Sequence, residues 1–197
     1  RHTGPMTDHS HDHELVADII RRRRTSMFVD PERDVEPELV AKLVELATWA
    51  PNHKRTWPWK FAYFTGAGLS RLGTTMVDDM VAADFGDDGK RRKTAVKYER
   101  TPGIVVVGCE PHDNEMLHLE NRDAVAAAIQ NFLLGATSVG LSTFWSTPAL
   151  TSPPGVLRLC GFDPDDRIVG IIYLGWHDGR PCDAPERPRA VLRHVSD

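Results

Sequence analysis

Apolar side chains recur at helical spacing from His13 to Arg24, where Leu15, Val16, Ile19 and Ile20 predict a first helix ending in a run of arginines. Basic groups at that end complement the carbonyl end of the helix dipole. Pro31 and Pro37 bracket a short connection. Glu36–Trp49 then carries the strongest amphipathic pattern, with Leu39, Leu43 and Leu46 in one row and Val40, Val44 and Ala47 in the next. Pro51 ends that helix, Asn52–Pro58 predicts a polar and aromatic loop, and Trp59–Phe64 a strand. Gly66–Asp84 predicts another helix, and the charged stretch Gly86–Arg100 a helix-bearing surface insert. Ile104–Val107 is a continuous β-branched run, the pattern of a strand covered on both faces. Ala124–Gly140 has helical spacing but is apolar nearly all round, which predicts burial nearly all round. Leu141–Trp145 predicts a short strand, Pro153–Cys160 a short helix and Ile168–Leu174 the last strand, ahead of a Pro- and Arg-rich tail over Pro181–Asp197. Separated strands among helices predict one α+β domain, a central mixed β-sheet wrapped by helices.

A length of 197 residues suits a single domain, taken here as residues 13–197. Residues 1–12 are polar and His-rich and read as a disordered N-terminus, with residues 1–5 a cloning remnant ahead of a native start at Met6. The 24 Lys and Arg stand against 28 Asp and Glu, a net charge of −4, which argues against a nucleic-acid binder that works by neutralising phosphates. Cys109, Cys160 and Cys182 are far apart and form no C-x-x-C, so the expected compartment is reducing and cytoplasmic. The longest apolar stretch, Ala124–Leu141, is interrupted by Gln130, Asn131, Thr137 and Ser138, and no membrane span is expected. No metal site is expected either. His9, His11 and His13 alternate where nothing could orient them, and Cys109, His112 and His118 lack paired ligand spacing. The G-x-S-x-G, Walker A and G-x-G-x-x-G motifs are absent, which counts against a serine hydrolase, a P-loop NTPase and a Rossmann dinucleotide domain.

Three segments carry candidate chemistry. Arg21-Arg22-Arg23-Arg24-Thr25-Ser26 offers guanidinium forks and hydroxyls within a short span, as a phosphate requires. Ala50-Pro51-Asn52-His53-Lys54-Arg55-Thr56-Trp57-Pro58-Trp59 pairs aromatic walls with polar donors, a lining suited to a planar heteroaromatic ligand. Phe144-Trp145-Ser146-Thr147-Pro148-Ala149 sits at a strand exit, where backbone N–H groups and hydroxyls can hold a ligand edge. Each also has a plain structural reading: a solvated helix end, a pair of core-covering tryptophans, and a strand-to-helix connection.

Taken in order, the three segments resemble the FMN-dependent nitroreductase family, particularly its small single-domain branch, from about Val16 to Gly175. Arg23-Arg24-Thr25-Ser26-Met27 stands where the family has Arg-Arg-Ser-x-Arg, with the last Arg lost and Thr in place of Ser. Ala50-Pro51-Asn52-His53-Lys54 followed by Pro58-Trp59 matches the branch, although Arg55 and Trp57 replace the polar pair that usually approaches the flavin. Gln130-Asn131, Gly140-Leu141 and Trp145-Ser146-Thr147 complete the match. The resemblance implies an intertwined homodimer with FMN at the interface and NAD(P)H as electron donor. It implies ping-pong hydride transfer to nitroaromatics, quinones or similar electron-poor molecules. By the same resemblance Arg23, Arg24 and Thr25 hold the phosphate and the polar ring edge, and His53 reaches in from the other subunit with Trp49 nearby. Trp145, Ser146 and Thr147 line the flavin, and Gly135, Ala136, Thr137, Ser138, Val139 and Gly140 match a stretch tied to the nicotinamide cofactor. No catalytic acid, base or nucleophile is expected, because the flavin carries the chemistry. The alternative is a flavin-holding protein without turnover, its pocket covered by Trp57 and the 86–100 segment.

Overall fold

The structure, a computed structural model, describes residues 10–196. The remnant at residues 1–5, the start at Met6, His9 and the closing Asp197 lie outside the described residues. Helix α1 (Ser10–Arg22) begins before His13, so residues 10–12 are helical where disorder was expected. It is followed by α2 (Pro37–Ala47), β1 (Trp59–Thr65), α3 (Ala67–Ala82), α4 (Asp88–Val96), β2 (Gly103–Cys109) and α5 (Glu115–Ser138). The chain closes with β3 (Leu141–Ser146), α6 (Pro154–Cys160) and β4 (Arg167–Trp176).

The α+β class holds, and the four strands pair in the order β1-β2-β4-β3. Every pairing between them is antiparallel, which departs from the expected mixed sheet. The connections explain this. Helices α3 and α4 together return the chain to the end of the sheet it left, so Thr65 pairs with Gly103 and β2 runs back along β1. The single long helix α5 crosses the sheet and sets β3 in the same direction as β2, one strand-width away. Strand β4 fills that gap and opposes both neighbours. The one parallel pairing among the described residues is an isolated bridge from Thr25 to Thr143, on the outer edge of β3.

Burial follows the strand period. On β2, Val105, Val107 and Cys109 enter a core with α2 and α5, whereas Ile104 and Val106 enter a second core with α3, α6 and Tyr98. Side chains two apart share a face, so a β-branched run covered on both sides feeds two cores at once. Helix α5 starts nine residues before Ala124 because Asn114 caps it, its side chain accepting from the Leu117 N–H at 3.1 Å. The polar segment Glu115–Asp123 therefore continues a helix whose buried part is Asn121–Ala136. The 86–100 segment is more than a surface insert: Tyr98 is fully buried and stacks near Tyr173, with ring centroids 6.1 Å apart.

Gly73 marks the closest approach of α3 to α4, since a Cβ there would lie 2.0 Å from the Ala95 carbonyl oxygen. Gly73→Ala is expected to destabilise the chain by about 1–3 kcal/mol through backbone displacement. At Gly68 on the same helix a Cβ would meet only Phe64 Cδ1, at an ordinary 3.5 Å. Gly68→Ala is expected to be stabilising by about 0.4–1 kcal/mol. Urea unfolding of both variants checks the opposite signs.

Candidate functional site

Strand β3 lies at the sheet edge, and a concave site opens at each of its ends. The first is a basic cleft of about 330 Å³ lined by Arg22, Arg24, Ser26, Thr137, Gly140 and Ser142, with His177, Arg180 and Cys182 from the chain beyond β4. It arises because α1 stops at Arg22 and the next residues run extended along β3, the Ser26 N–H donating to the Thr143 carbonyl at 2.9 Å. The Arg24 guanidinium turns back on the helix it follows, Nη1 donating to the Arg23 carbonyl at 2.8 Å and to that of Arg21. Its Nε is buried and has no hydrogen-bond partner among the described residues. Arg22 is shared with Asp18 at 2.7 Å. Arg180 pairs with Asp178, holding that carboxyl below its ordinary range, and lies 4.4 Å above the Phe28 ring. Among the described residues Arg24 is thus the arginine of the cleft that has no carboxylate partner.

The second site lies past the other end of β3. A cleft of about 390 Å³ is lined by Trp145, Thr147, Arg122, Asp123, Ala126 and Val169. The Trp145 indole packs over residue 170 because that position has no side chain: a Cβ on Gly170 would fall 2.3 Å from Trp145 Nε1. Arg122, Thr147 and Val169 also line an adjoining cavity of about 230 Å³. Five residue steps of strand, about 17 Å, separate the two ends.

Among the residues expected from the sequence, Arg24, Thr137 and Gly140 meet in the basic cleft, and Trp145 and Thr147 meet in the second. Arg23 and Thr25 belong to the same extended segment but line neither. Ser146 lies between, its hydroxyl donating to the Thr147 carbonyl at 3.3 Å. Gly135 and Ala136 are buried packing positions, with the Leu43 and Leu46 methyl groups 3.1 Å from where a Gly135 Cβ would stand. Ser138 and Val139 are exposed at the end of α5, Ser138 donating to the Gly135 carbonyl at 2.7 Å. Trp49 is 77% exposed, and His53 holds Glu120 on α5, Nδ1 to Oε2 at 2.7 Å. Neither reaches either cleft within one chain. The 86–100 segment packs on α3 and lines neither cleft as well.

The loop carrying His53 is strained. Lys54, Arg55 and Trp57 all have positive φ, at 61°, 55° and 49°. Such geometry costs energy in residues other than glycine and persists only where neighbours impose it. Here Asn52 Oδ1 accepts from the Trp57 N–H at 2.8 Å, and Thr56 Oγ1 donates to Asn121 Oδ1 at 2.6 Å. Asn121 in turn donates to the Glu110 carbonyl at 3.2 Å, anchoring the loop to α5 and to the end of β2. Sequence reading missed Arg180, His177 and Ser142, whose roles depend on the tail folding back, and Arg122, which lay outside the helix as predicted.

The sequence matches the model of the Nitroreductase family over residues 20–176. A Bacillus subtilis (strain 168) protein named "Putative NAD(P)H nitroreductase YfhC" is 29% identical over 96% of both chains. The crystal structure of a nitroreductase-like family protein from Bacillus cereus superposes with a TM-score of 0.75 at 28% identity, covering 88% of this chain and 91% of that one. A nitroreductase with bound FMN from Bacteroides fragilis shares the fold, with a TM-score of 0.73 at 20% identity over 92% of this chain and 98% of its own.

The Gly170 contact generates a double-mutant test. Gly170→Ala is expected to cost about 1–3 kcal/mol by forcing the indole off the sheet. In a Trp145→Ala background most of that cost should vanish, because the clash has gone. Thermal unfolding of the four proteins in the cycle measures the coupling.

Proposed function

The chain belongs to the nitroreductase family, and we propose that it is an FMN-dependent oxidoreductase that takes electrons from NADH or NADPH and delivers them to nitroaromatics, quinones or similar electron-poor small molecules. The observation that carries this reading is the buried Nε of Arg24, without a partner among the described residues, in a cleft lined by hydroxyls and further arginines. FMN is elongated, with a phosphate at one end and a flat heteroaromatic ring at the other. It calls for cations and hydroxyls in one place and flat walls in another, and the residues at the two ends of β3 fit those two demands.

When bound, FMN supplies the two-electron redox chemistry between donor and acceptor, which visit it in turn. The chain supplies position and charge. Arg24, with Arg22, Arg180 and Ser26, holds the phosphate, and Arg23 and Thr25 flank it on the same segment. Trp145, Ser146 and Thr147 line the ring, while Thr137 and Gly140, with the exposed Ser138 and Val139 beside them, border the phosphate end. No side chain is assigned as acid, base or nucleophile.

The proposal includes a homodimer and a cytoplasmic setting, where nicotinamide donors are regenerated. Helix α1 buries no residue and leaves Leu15, Val16 and Ile20 on the surface, and Trp49 stands bare beside α2. Exposed apolar side chains of this kind are what a second subunit covers. In such a dimer His53 and Trp49 serve the partner's flavin.

Arg24→Ala is expected to weaken FMN binding by about 1.5–3 kcal/mol, roughly 10- to 150-fold, with riboflavin affected far less because it lacks the phosphate. Fluorescence titration of both flavins checks this. Light scattering of the flavin-loaded protein is expected to give twice the chain mass, and a monomer mass at micromolar concentration would remove the dimer. Anaerobic mixing with NADH or NADPH is expected to bleach the oxidised flavin within seconds. If neither donor bleaches it over minutes, the protein holds flavin without turnover.

A further inference from the structure

The 230 Å³ cavity beside the Trp145 cleft carries chemistry that neither the flavin nor the nicotinamide donor has been given above. It is lined by Arg122, Arg167, His118, Thr147, Thr151 and Cys109, with Ile168 and Val169 as its apolar floor. Its walls come from three directions: α5 supplies His118 and Arg122, the chain after β3 supplies both threonines, and the paired positions Cys109 and Arg167 close the sheet end. Two arginines, both exposed to solvent, therefore border one small space, and no carboxylate is among its lining residues. Neither arginine has an ion-pair partner among the described residues. Among the described residues no hydrogen bond occupies the hydroxyl of Thr147 or of Thr151, and His118 accepts from the His112 N–H through Nδ1, which leaves Nε2 as its donor. Burial pushes the Cys109 thiol up to about 11, so at neutral pH it adds no negative charge. The lining residues themselves present donors and positive charge, and the carboxylates of Asp166 and Glu110, which also act on Cys109, are not among them.

A cavity of about 150 Å³ already holds a benzene ring, so this one has room for a ring bearing a small anionic group. Planar guanidinium forks match the two oxygens of a carboxylate better than any neutral group does. The cavity shares Arg122, Thr147 and Val169 with the cleft lined by Trp145, so a molecule anchored here extends its other end toward that cleft. We propose that Arg122 and Arg167 form a carboxylate subsite, and that the acceptors this enzyme prefers are aromatic compounds carrying a carboxylate opposite the reducible group. The acceptor role rests on the flavin reading given above. The subsite itself is a property of this chain's own residues.

Two measurements on the holoprotein and on Arg167→Gln test this. Arg167 lines the cavity but not the Trp145 cleft, so its replacement is the more selective of the two. The first is binding of 4-fluorobenzoate, an unreactive probe, followed by fluorine NMR. It is expected to bind the holoprotein and to lose about tenfold or more in affinity in the variant. The second is steady-state reduction of 4-nitrobenzoate against its neutral methyl ester. The parent is expected to favour the carboxylate in kcat/KM, and Arg167→Gln to raise KM for the carboxylate about tenfold more than for the ester. Arg167→Lys, which keeps the charge, should restore part of the difference. Equal binding of 4-fluorobenzoate by both proteins overturns the proposal, as does an equal loss for acid and ester. A selective loss with NADPH relative to NADH also overturns it, because it would assign the arginines to the donor's 2′-phosphate. If 4-fluorobenzoate binding responds to Arg167 while neither acceptor is reduced, the subsite stands and the reductase reading falls.

Discussion

The arrangement of the sheet rests on one geometric constraint: the crossover through α5 leaves a gap one strand wide, and only β4 can fill it. Once β4 is inserted, β3 is forced to the edge with one row of backbone groups unpaired. An exposed edge is a liability that proteins cover. Here the segment after α1 covers it, through the Thr25–Thr143 bridge and the Ser26 N–H bond to the Thr143 carbonyl. Arg24 of the basic cleft sits on that covering segment. Its place at the start of β3 is therefore a by-product of edge protection, and the Trp145 cleft is its counterpart at the other end.

The same logic separates what could be read in the sequence from what could not. The hydrophobic period located α2, β2 and the second half of α5, because these elements bury their apolar positions in a local pattern. It misplaced the start of α5, since Glu115–Asp123 is polar and is held helical by the Asn114 cap rather than by burial. It also undervalued the 86–100 segment, whose anchoring residue is a single Tyr98 among charges. Strand direction depends on how many helices separate two strands in space, and no periodicity encodes that. The antiparallel sheet was illegible for this reason.

At the site, the chemistry of single residues was more legible than their meeting places. An arginine run followed by hydroxyls announces an anion, and Arg24 faces a cleft. Arg180 and Arg122 could not be paired with it or with Arg167, because they converge only after the tail returns along β3 and α5 extends past its apolar half. The aromatic loop presents the opposite case. Its composition stood out, yet one chain directs Trp49 and His53 away from both clefts, and three residues at positive φ are held there by Asn52 and Asn121.

Arg24 serves two tasks with one guanidinium. Its Nη1 closes the carbonyl end of α1, while its buried Nε has nothing to hold. Helix α1 has no fully buried residue, so within one chain it is held by partial packing on α5, by the Asp18–Arg22 pair and by that cap. An anion that engages Nε fixes the guanidinium in place and thereby the last turn of α1. By linkage, whatever orders the helix also strengthens the hold on the anion. Amide hydrogen exchange along Leu15–Arg22 would then report occupancy of a cleft that those residues, Arg22 apart, do not line, making the first helix a gauge of ligand saturation.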